Sequence, residues 1–431
     1  MTAPSPDPLP EASLEIEAPQ PLPASPSTAV PREALLLALS IFLFIAATNI
    51  LTPLIPQVMT DFDVSITVAG LIVGSYGLAR LAVDLPAGFL ADRVGYQRLS
   101  RIAVVLLIIS SFLGAAAPSV ELLIASRVGS GISVGILATV ILAALSSTAT
   151  VVNRGKVMSL FHVANNTGIA LYPMIGGIIG LVIGWRATFA VTAALAIGGA
   201  VILLPLLGRM TFPTKKGGAR KDQIDAARVL HGRRRTVAVL VTNYGVVANM
   251  IHRHGFRNTI LPLYAATVLG LGGVSIATAI ALMSITGLMV ATAGGMLGDR
   301  IGRRRVIVAG LVGVAAGDLA FILTNDLLTF LLVAALIGFG DFFTSSQTAL
   351  LSEVVPPEER TRSLSQYRFS ADLGALVGPI ALALIMDRTS ATVAIIVAVG
   401  VLVSASIAAF VGVPPDHPDA QRPAAPSPVH A

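Results

Sequence analysis

The chain has 431 residues, of which 55% are hydrophobic and only 12% charged, with a net charge of +6 and no cysteine. A soluble domain carries about 25% charged residues, so an ordinary soluble protein is excluded, and without cysteine so are disulfides and thiolate metal sites. The histidines are scattered without a pair at zinc-site spacing, and the basic residues lie in short segments between apolar runs, which is a membrane-topology pattern rather than a nucleic-acid one; no metal, cofactor or nucleic-acid partner is expected.

Residues 1–32 are rich in Pro, Ala, Ser and Glu and lack both a basic start and an apolar stretch, so they read as a disordered tail and not a signal peptide. Apolar runs of bilayer-crossing length, about 20 residues, then recur at 34–58, 66–88, 99–117, 120–148, 157–181, 187–207, 237–267, 273–295, 305–323, 328–351, 363–386 and 391–412. A transmembrane barrel would instead show segments of about 10 residues with alternating polarity. The expected fold class is therefore an all-α membrane protein with twelve transmembrane helices. The fourth and seventh runs exceed the bilayer's need, so tilt or breakage is expected there. Residues 413–431 read as a second disordered tail.

Arg93, Arg98, Arg101, Arg154, Lys156, the stretch from Arg209 to Arg235, Arg300, Arg303, Arg304, Arg305, Arg360 and Arg362 fall on one side of these spans; Arg186 and Arg388 fall on the other. The basic side is expected to be cytoplasmic, with both termini there. The long loop 208–235 divides the spans into halves at 33–207 and 236–412. Its "DQIDAARVL" reads either as a surface amphipathic helix or as part of a solvated basic linker that fixes topology.

Two segments repeat. "GFLADRVGYQRL" starts at Gly88, and "GGMLGDRIGRRRV" starts at Gly294. Gly88, Leu90, Asp92, Arg93, Gly95 and Arg98 align with Gly295, Leu297, Asp299, Arg300, Gly302 and Arg305. "NRGKVMSLFHVANNTGIALYPMIGG" from Asn153 matches "ERTRSLSQYRFSADLGALVGPIALA" from Glu359 in a similar register. The first pair follows the second span of each half and the second pair opens the fifth. Duplication of a six-span unit follows, as in transporters whose substrate site lies between the repeats near the midplane.

The paired motif resembles the loop 2–3 signature of the major facilitator superfamily, roughly G-x-L-(small)-D-R-x-G-R-(basic)-(basic), departing from it in the first copy at Tyr96 and Gln97. "SRVGSGISVG", with Arg127 and Gly131, resembles that family's fourth-helix pattern. "GIALYPMIGG", with Gly168, Pro173, Gly176 and Gly177, resembles its fifth-helix antiporter pattern, with Tyr172 in place of a glycine. "GWRATF" at 184–189 is a further familiar element. The resemblance covers about 34–412. It implies two pseudo-symmetric six-helix halves working by alternating access. It also implies that Asp92 gates against the cytoplasmic start of the eleventh helix, and Asp299 against the fifth, with Gly95 and Gly302 allowing the tight turns. The plainer reading is a helix-capping acid in a short loop, with arginines enforcing topology.

Ionisable residues inside spans are costly and mark function. Arg80 and Asp84 are four apart on the second helix and share a face, as do Arg368 and Asp372 on the eleventh. The family architecture places these helices together, which implies a four-charge network between the halves; two separate intrahelical pairs are the alternative. Arg127 is expected to serve substrate or proton relay, or else to bond carbonyls between helices. In the seventh span Arg257 and Asn258 are cavity candidates, beside Gly255 and Pro262, which allow unwinding. His252 and His254 are expected to sense protons or to sit at a wet, outward-facing helix end. Asp341 is the expected proton carrier and Asp318 a support residue. Asn165 and Asn166 read as helix–helix hydrogen-bonding groups or cavity lining. Asn49, Pro53 and Pro56 bring polarity and kinks to the first helix but no acid.

The resemblance implies a secondary transporter, expected to be a monomer in the cytoplasmic membrane, exporting small organic molecules in exchange for protons. Uptake of a small organic anion is the competitor, suited by Arg127 and Arg257, and a non-transporting membrane sensor is the alternative of another class. No enzyme is expected: the sequence shows no nucleophile–base pair, metal cluster or phosphate loop.

Overall fold

The structure, a computed structural model, describes residues 30–84, 86–150, 153–210, 230, 232–340, 344–356 and 359–413. The expected tails and residues 211–229 of the central loop lie outside the described residues. Among the described residues all regular structure is helical. It forms twelve rods: α1 (Arg32–Phe62), α2 (Ile66–Asp84, then Pro86–Val94), α3 (Tyr96–Ala115), α4 (Val120–Thr148), α5 (Arg154–Val182), α6 (Arg186–Arg209), α7 (Gly232–Met250, Ile251–Ile260 and Leu261–Thr267), α8 (Gly273–Ile301), α9 (Arg303–Ala320), α10 (Leu327–Gly340 and Thr344–Val354), α11 (Arg360–Arg388) and α12 (Ala391–Gly412). Nine of the described rods are long and apolar enough to cross a membrane. The other three are α5, which opens on polar residues, α7, with its basic centre, and α10, described in two pieces. α7 starts at Gly232, inside the stretch expected as linker, because "GRRRTVAVL" continues a helical apolar face toward the basic end.

The paired charged motif departs from its expected geometry. Asp92 and Asp299 do not stand in a loop before a helix; each lies in the last turn of the preceding helix, and the connection shrinks to one glycine. Gly95 and Gly302 take φ of 91° and 100°, a conformation that L side chains rarely adopt. Helix α2 therefore runs through the motif to Val94, beyond the expected limit of 88. Asp92 accepts a hydrogen bond from Tyr96 and stands at a helix C-terminus, where a carboxylate opposes the dipole. The capping account of Asp92 fails on this geometry.

Three buried cores show how the rods assemble. One holds residues of α1–α6 alone, among them Leu37, Leu99 and Leu137. A second holds α7–α12 alone, among them Val306, Leu351 and Leu402. The third combines both halves, with Leu54, Val58 and Ile72 packed among Phe256, Ile276, Phe321 and Phe330. The single-half cores reach the arginine-rich end and the joint core lies at the opposite, far end. The halves therefore share a buried core at the far end. There α2 packs along α11 and α5 along α8. A Cβ on Gly70 would meet Ala383 Cβ and lie 2.6 Å from the Pro379 carbonyl oxygen, and one on Gly177 would lie 2.5 Å from Ala277 Cβ. Thr67 donates to Asp387 at 2.6 Å across the same seam. At the basic end a Cβ on Gly88 or Gly95 would meet no described atom within 4 Å, and Phe89 and Met296 are 71% and 59% exposed. This is a conformation sealed at the far end and open at the basic end.

Candidate functional site

The two rods that lead each half are both irregular at mid-height. In α1, Pro53 and Pro56 remove amide donors from the helical ladder, and the rod breaks into Arg32–Phe44, Ala46–Asn49, a 3-10 turn Thr52–Leu54 and Ile55–Phe62. In α7, Ile251–Ile260 is π-helical, a form concentrated at functional sites. The broken stretches face each other. Asn258 Nδ2 donates to Asn49 Oδ1 at 3.4 Å, joining the halves. Around this contact is a pocket of about 10 Å³, lined by Asn49, Tyr76 and Arg127 from the first half and His254 and Asn258 from the second. That volume is about one water. Tyr76 and Thr48 share a hydrogen bond of 2.6 Å.

Arg127 reaches this centre as a strut. Its Nη1 and Nη2 donate to the carbonyls of Ala47 and Thr48 at 2.6 and 3.1 Å, and its guanidinium lies 4.9 Å from the Tyr76 ring centroid. Carbonyls exposed by the α1 break attract the nearest buried cation, so Arg127 bonds helix backbone as the alternative reading held. Arg257 behaves likewise, donating to the Ile280 carbonyl at 3.3 Å and to the Ser284 hydroxyl on α8. Arg127 was expected either to serve substrate or proton relay or to bond carbonyls, and Arg257 to face the cavity; each ties helices together, and Arg127 also lines the pocket. His254 lies in the field of Arg253, Arg80 and Arg257 and is part of the pocket wall, not an outward-facing helix end.

Below the centre, toward the basic end, Arg80 Nε pairs with Asp84 Oδ2 at 3.5 Å. Asp372 of α11 lies within hydrogen-bonding reach of Asp84 and in the field of Arg80 and Arg368. The structure brings the two charge pairs into one cluster at the seam between halves. Asp341 and the side chain of Asp299 lie outside what is described. Asp92 is exposed and accepts a hydrogen bond from Tyr96 at 3.2 Å. Arg303, the aligned residue in the second copy, instead bonds Glu353 on α10 at 3.2 Å. The first copy's departure from the basic pattern thus ties the acid to its own hairpin. Arg93, Arg98 and Arg300 are exposed, and Arg305 reaches the Ile301 carbonyl at 3.5 Å.

The fifth-helix glycines are packing positions. A Cβ on Gly168 would collide with Ile45 and one on Gly176 with the Ile50 carbonyl oxygen, so α5 lies directly on the α1 break. Tyr172, in the place of the pattern's glycine, is buried against Phe42 with ring centroids 5.2 Å apart. Pro173 sits inside α5. Asn165 Nδ2 donates to Asn166 Oδ1 at 3.5 Å. A second pocket, of about 610 Å³, opens at the basic end between α7, α10 and α11, lined by Arg235, Asn243, Arg362, Gln366 and Phe369. This is within the size range of small-molecule sites. Sequence reasoning missed Tyr76 and Thr48; only the facing of α1 and α2 brings those two together.

Two helical halves hinged on a far-end seal around two facing broken helices define a membrane transporter fold. The chain belongs to the major facilitator superfamily, whose family model matches residues 37–292 and 247–430. It is 24% identical over 358 residues to Multidrug resistance protein 2 of Bacillus subtilis, covering 80% of this chain and 86% of that one. It is 28% identical to Multidrug resistance protein 1 of the same organism, but there the match covers 39% of this chain and spans only 43% of the relative. Quinolone resistance protein NorA of Staphylococcus aureus is 24% identical over 41% of this chain and 45% of that protein. Among solved structures, a peptide transporter superposes with TM-score 0.74 at 14% identity, covering 88% of this chain and 94% of that chain. A bacterial homologue of the lysosomal transporter Spinster, inward-facing and unoccupied, does so with TM-score 0.71 at 13%, covering 89% and 98%. These structural likenesses concern the fold.

Proposed function

We propose that this protein exports small organic molecules across the cytoplasmic membrane in exchange for protons, as a monomer that alternates between two openings. The observation that carries the reading is the meeting of the broken α1 and α7 at Asn49 and Asn258, closed on one side and open on the other. Interrupted helices in corresponding positions of two halves point to a transporter's binding site. The arginine-rich end is then cytoplasmic, with both termini there, and the conformation is inward-open. The multidrug and quinolone resistance relatives support export of small organic molecules.

In the outward-open state Asp92 leaves Tyr96 and meets the start of α11, where Arg360 begins the helix, and Asp299 does the same against α5. The Arg80, Asp84, Arg368 and Asp372 cluster lies on the hinge between these states. Asp92→Asn is expected to lower transport about tenfold, the scale of one lost charge-assisted contact. Tyr96→Phe, which frees the acid, is expected to raise the outward-open fraction, read by faster labelling of a cysteine introduced near Thr67. Unchanged transport in Asp92→Asn at equal surface expression leaves the motif a topology signal only.

One observation favours the second reading, uptake of an organic anion: the central pocket is walled by Arg127 and His254, and its lining contains no carboxylate. Accumulation of ethidium and of labelled organic acids, in cells with and without the protein and with and without an uncoupler, separates the two. Export predicts that ethidium rises in producing cells when the uncoupler is added. Uptake predicts that organic acid falls, with ethidium unaffected.

A further inference from the structure

A second polar site lies inside the second half, apart from the central pocket. His252 Nδ1 is 2.8 Å from Asp318 Oδ2, linking α7 to α9, and the two side chains are 1% and 0% exposed. Neither element of the pair was expected to meet the other: His252 was read as a proton sensor or a wet helix end, and Asp318 as a support. The imidazole stacks on Phe256, which contacts Phe321, which contacts Phe330. These rings belong to the joint core that seals the far end, so the pair is roofed on that side.

Toward the basic end the same stripe of α7 stays polar. Asn249 stands three residues before His252 and shares its face; it is fully buried, and neither its Oδ1 nor its Nδ2 has a partner. Four residues earlier, Gly245 faces Gln347 of α10. Gln347 accepts from the Tyr367 hydroxyl of α11 at 3.1 Å, while its Nε2 is buried without a partner. His252 Nε2 is buried without a partner as well. Buried polar atoms in native proteins are nearly always paired with protein or ordered water, and inside a membrane bundle their desolvation is costly. A stripe of such atoms ending on a buried acid–imidazole pair is the arrangement of a proton route.

We propose that His252 and Asp318 form the proton-binding site of the transport cycle, connected to the basic end by the buried stripe Asn249, Gln347 and Tyr367. This deepens the exchange reading above and rests on it. The pair binds one proton per cycle. With that proton it is net neutral, as imidazolium and carboxylate or as imidazole and carboxylic acid; without it, the pair carries one negative charge. A net negative charge buried beneath this seal is unfavourable, so the empty pair resists closure of the roof and the loaded pair permits it. The proton enters while the far seal is open and leaves along the stripe after the seal has closed. Of the charged groups on α2 and α11, which pack against this part of α7, Arg80 and Asp84 and Arg368 and Asp372 lie mid-way along their helices; Asp92, Arg93, Arg360 and Arg362 lie at the basic end and Asp387 and Arg388 at the far end. α7 itself adds Arg253, His254 and Arg257, α12 adds none, and among the described residues of α8–α10 Asp299, Arg300, Arg303, Arg304, Arg305 and Glu353 stand closer to the basic end. His254, by contrast, stands among Arg253, Arg80 and Arg257 and has no carboxylate among the groups around it.

The test uses the full-length protein in proteoliposomes with ethidium as probe. His252→Gln and Asp318→Asn are expected to lose ethidium accumulation driven by a pH gradient by about tenfold or more, while ethidium exchange at equal pH stays within about twofold of the parent. Retained exchange shows that the variants are folded; Asp318→Glu, which keeps a carboxyl group, is expected to restore part of the driven accumulation. Variants that keep full gradient-driven accumulation overturn the site. If the parent itself shows no response to the gradient, the exchange reading fails, and infrared difference spectra across a pH step then decide the site alone. A carboxylic-acid band that shifts in Asp318→Glu and vanishes in Asp318→Asn supports it, and a spectrum indifferent to both overturns it.

Discussion

Gly70→Leu is expected to hold the protein open at the far end and cut transport steeply. A Cβ on Gly70 already meets Ala383 Cβ and comes within 2.6 Å of the Pro379 carbonyl oxygen, and backbone cannot move aside as a flexible side chain can. Overpacking of this kind costs about 1–3 kcal/mol, which shifts a two-state balance by about fivefold to about 150-fold. The cost falls only on the conformation with α2 and α11 joined at the far end, so folding of each half is spared. The chain has no native cysteine, so single introduced cysteines report cleanly. In the Gly70→Leu background, Thr67→Cys should react faster with a maleimide and Leu90→Cys more slowly. Unchanged rates at both positions would show that the far seal is not a moving part.

Arg80→Ala carries the second large effect. It leaves Asp84 and Asp372 within hydrogen-bonding reach of each other without the guanidinium that Asp84 pairs with at 3.5 Å. The Arg80 and Asp84 side chains are 35% and 23% exposed, between a surface pair worth under about 1 kcal/mol and a buried one whose breakage costs about 3–5 kcal/mol. A loss of about 1–3 kcal/mol is therefore expected, concentrated in the conformation open at the basic end, which assembles the cluster. Transport should fall by about tenfold or more. Adding Asp84→Asn should restore a good part of it, because the remaining carboxylate no longer faces a second one. If the double variant is as poor as the single, repulsion is not the cause and Arg80 acts by contacting cargo.

The fold was legible from local features. Runs without charges at bilayer length, interrupted by arginine-rich turns, can satisfy their backbone only as helices. The repeat at Asp92 and Asp299 marked the duplication. The π-helical stretch of α7 fell where Gly255 and Pro262 had suggested unwinding, and the α1 break fell at Pro53 and Pro56. The site was less legible. Arg127 and Arg257 looked like cargo cations because, along one chain, a buried arginine carries no sign of what neutralises it. In the fold each finds carbonyls or a hydroxyl on another rod, contacts between residues far apart in sequence. Asp92 was misplaced for a different reason: loop length is set by glycine φ, and one residue at 91° suffices where a loop was expected.

By itself the sequence determined that this protein crosses a membrane many times as helices, that it is built twice over from a six-helix unit, and which end of it is basic. Composition, period and repeat decide these, and they are properties of single segments. Only the tertiary structure decided which end is sealed, that α1 and α7 meet at Asn49 and Asn258, and that His252 meets Asp318. Those outcomes depend on the packing of rods against each other. In a chain whose helix faces are nearly all apolar, periodicity does not mark which face meets protein and which meets lipid.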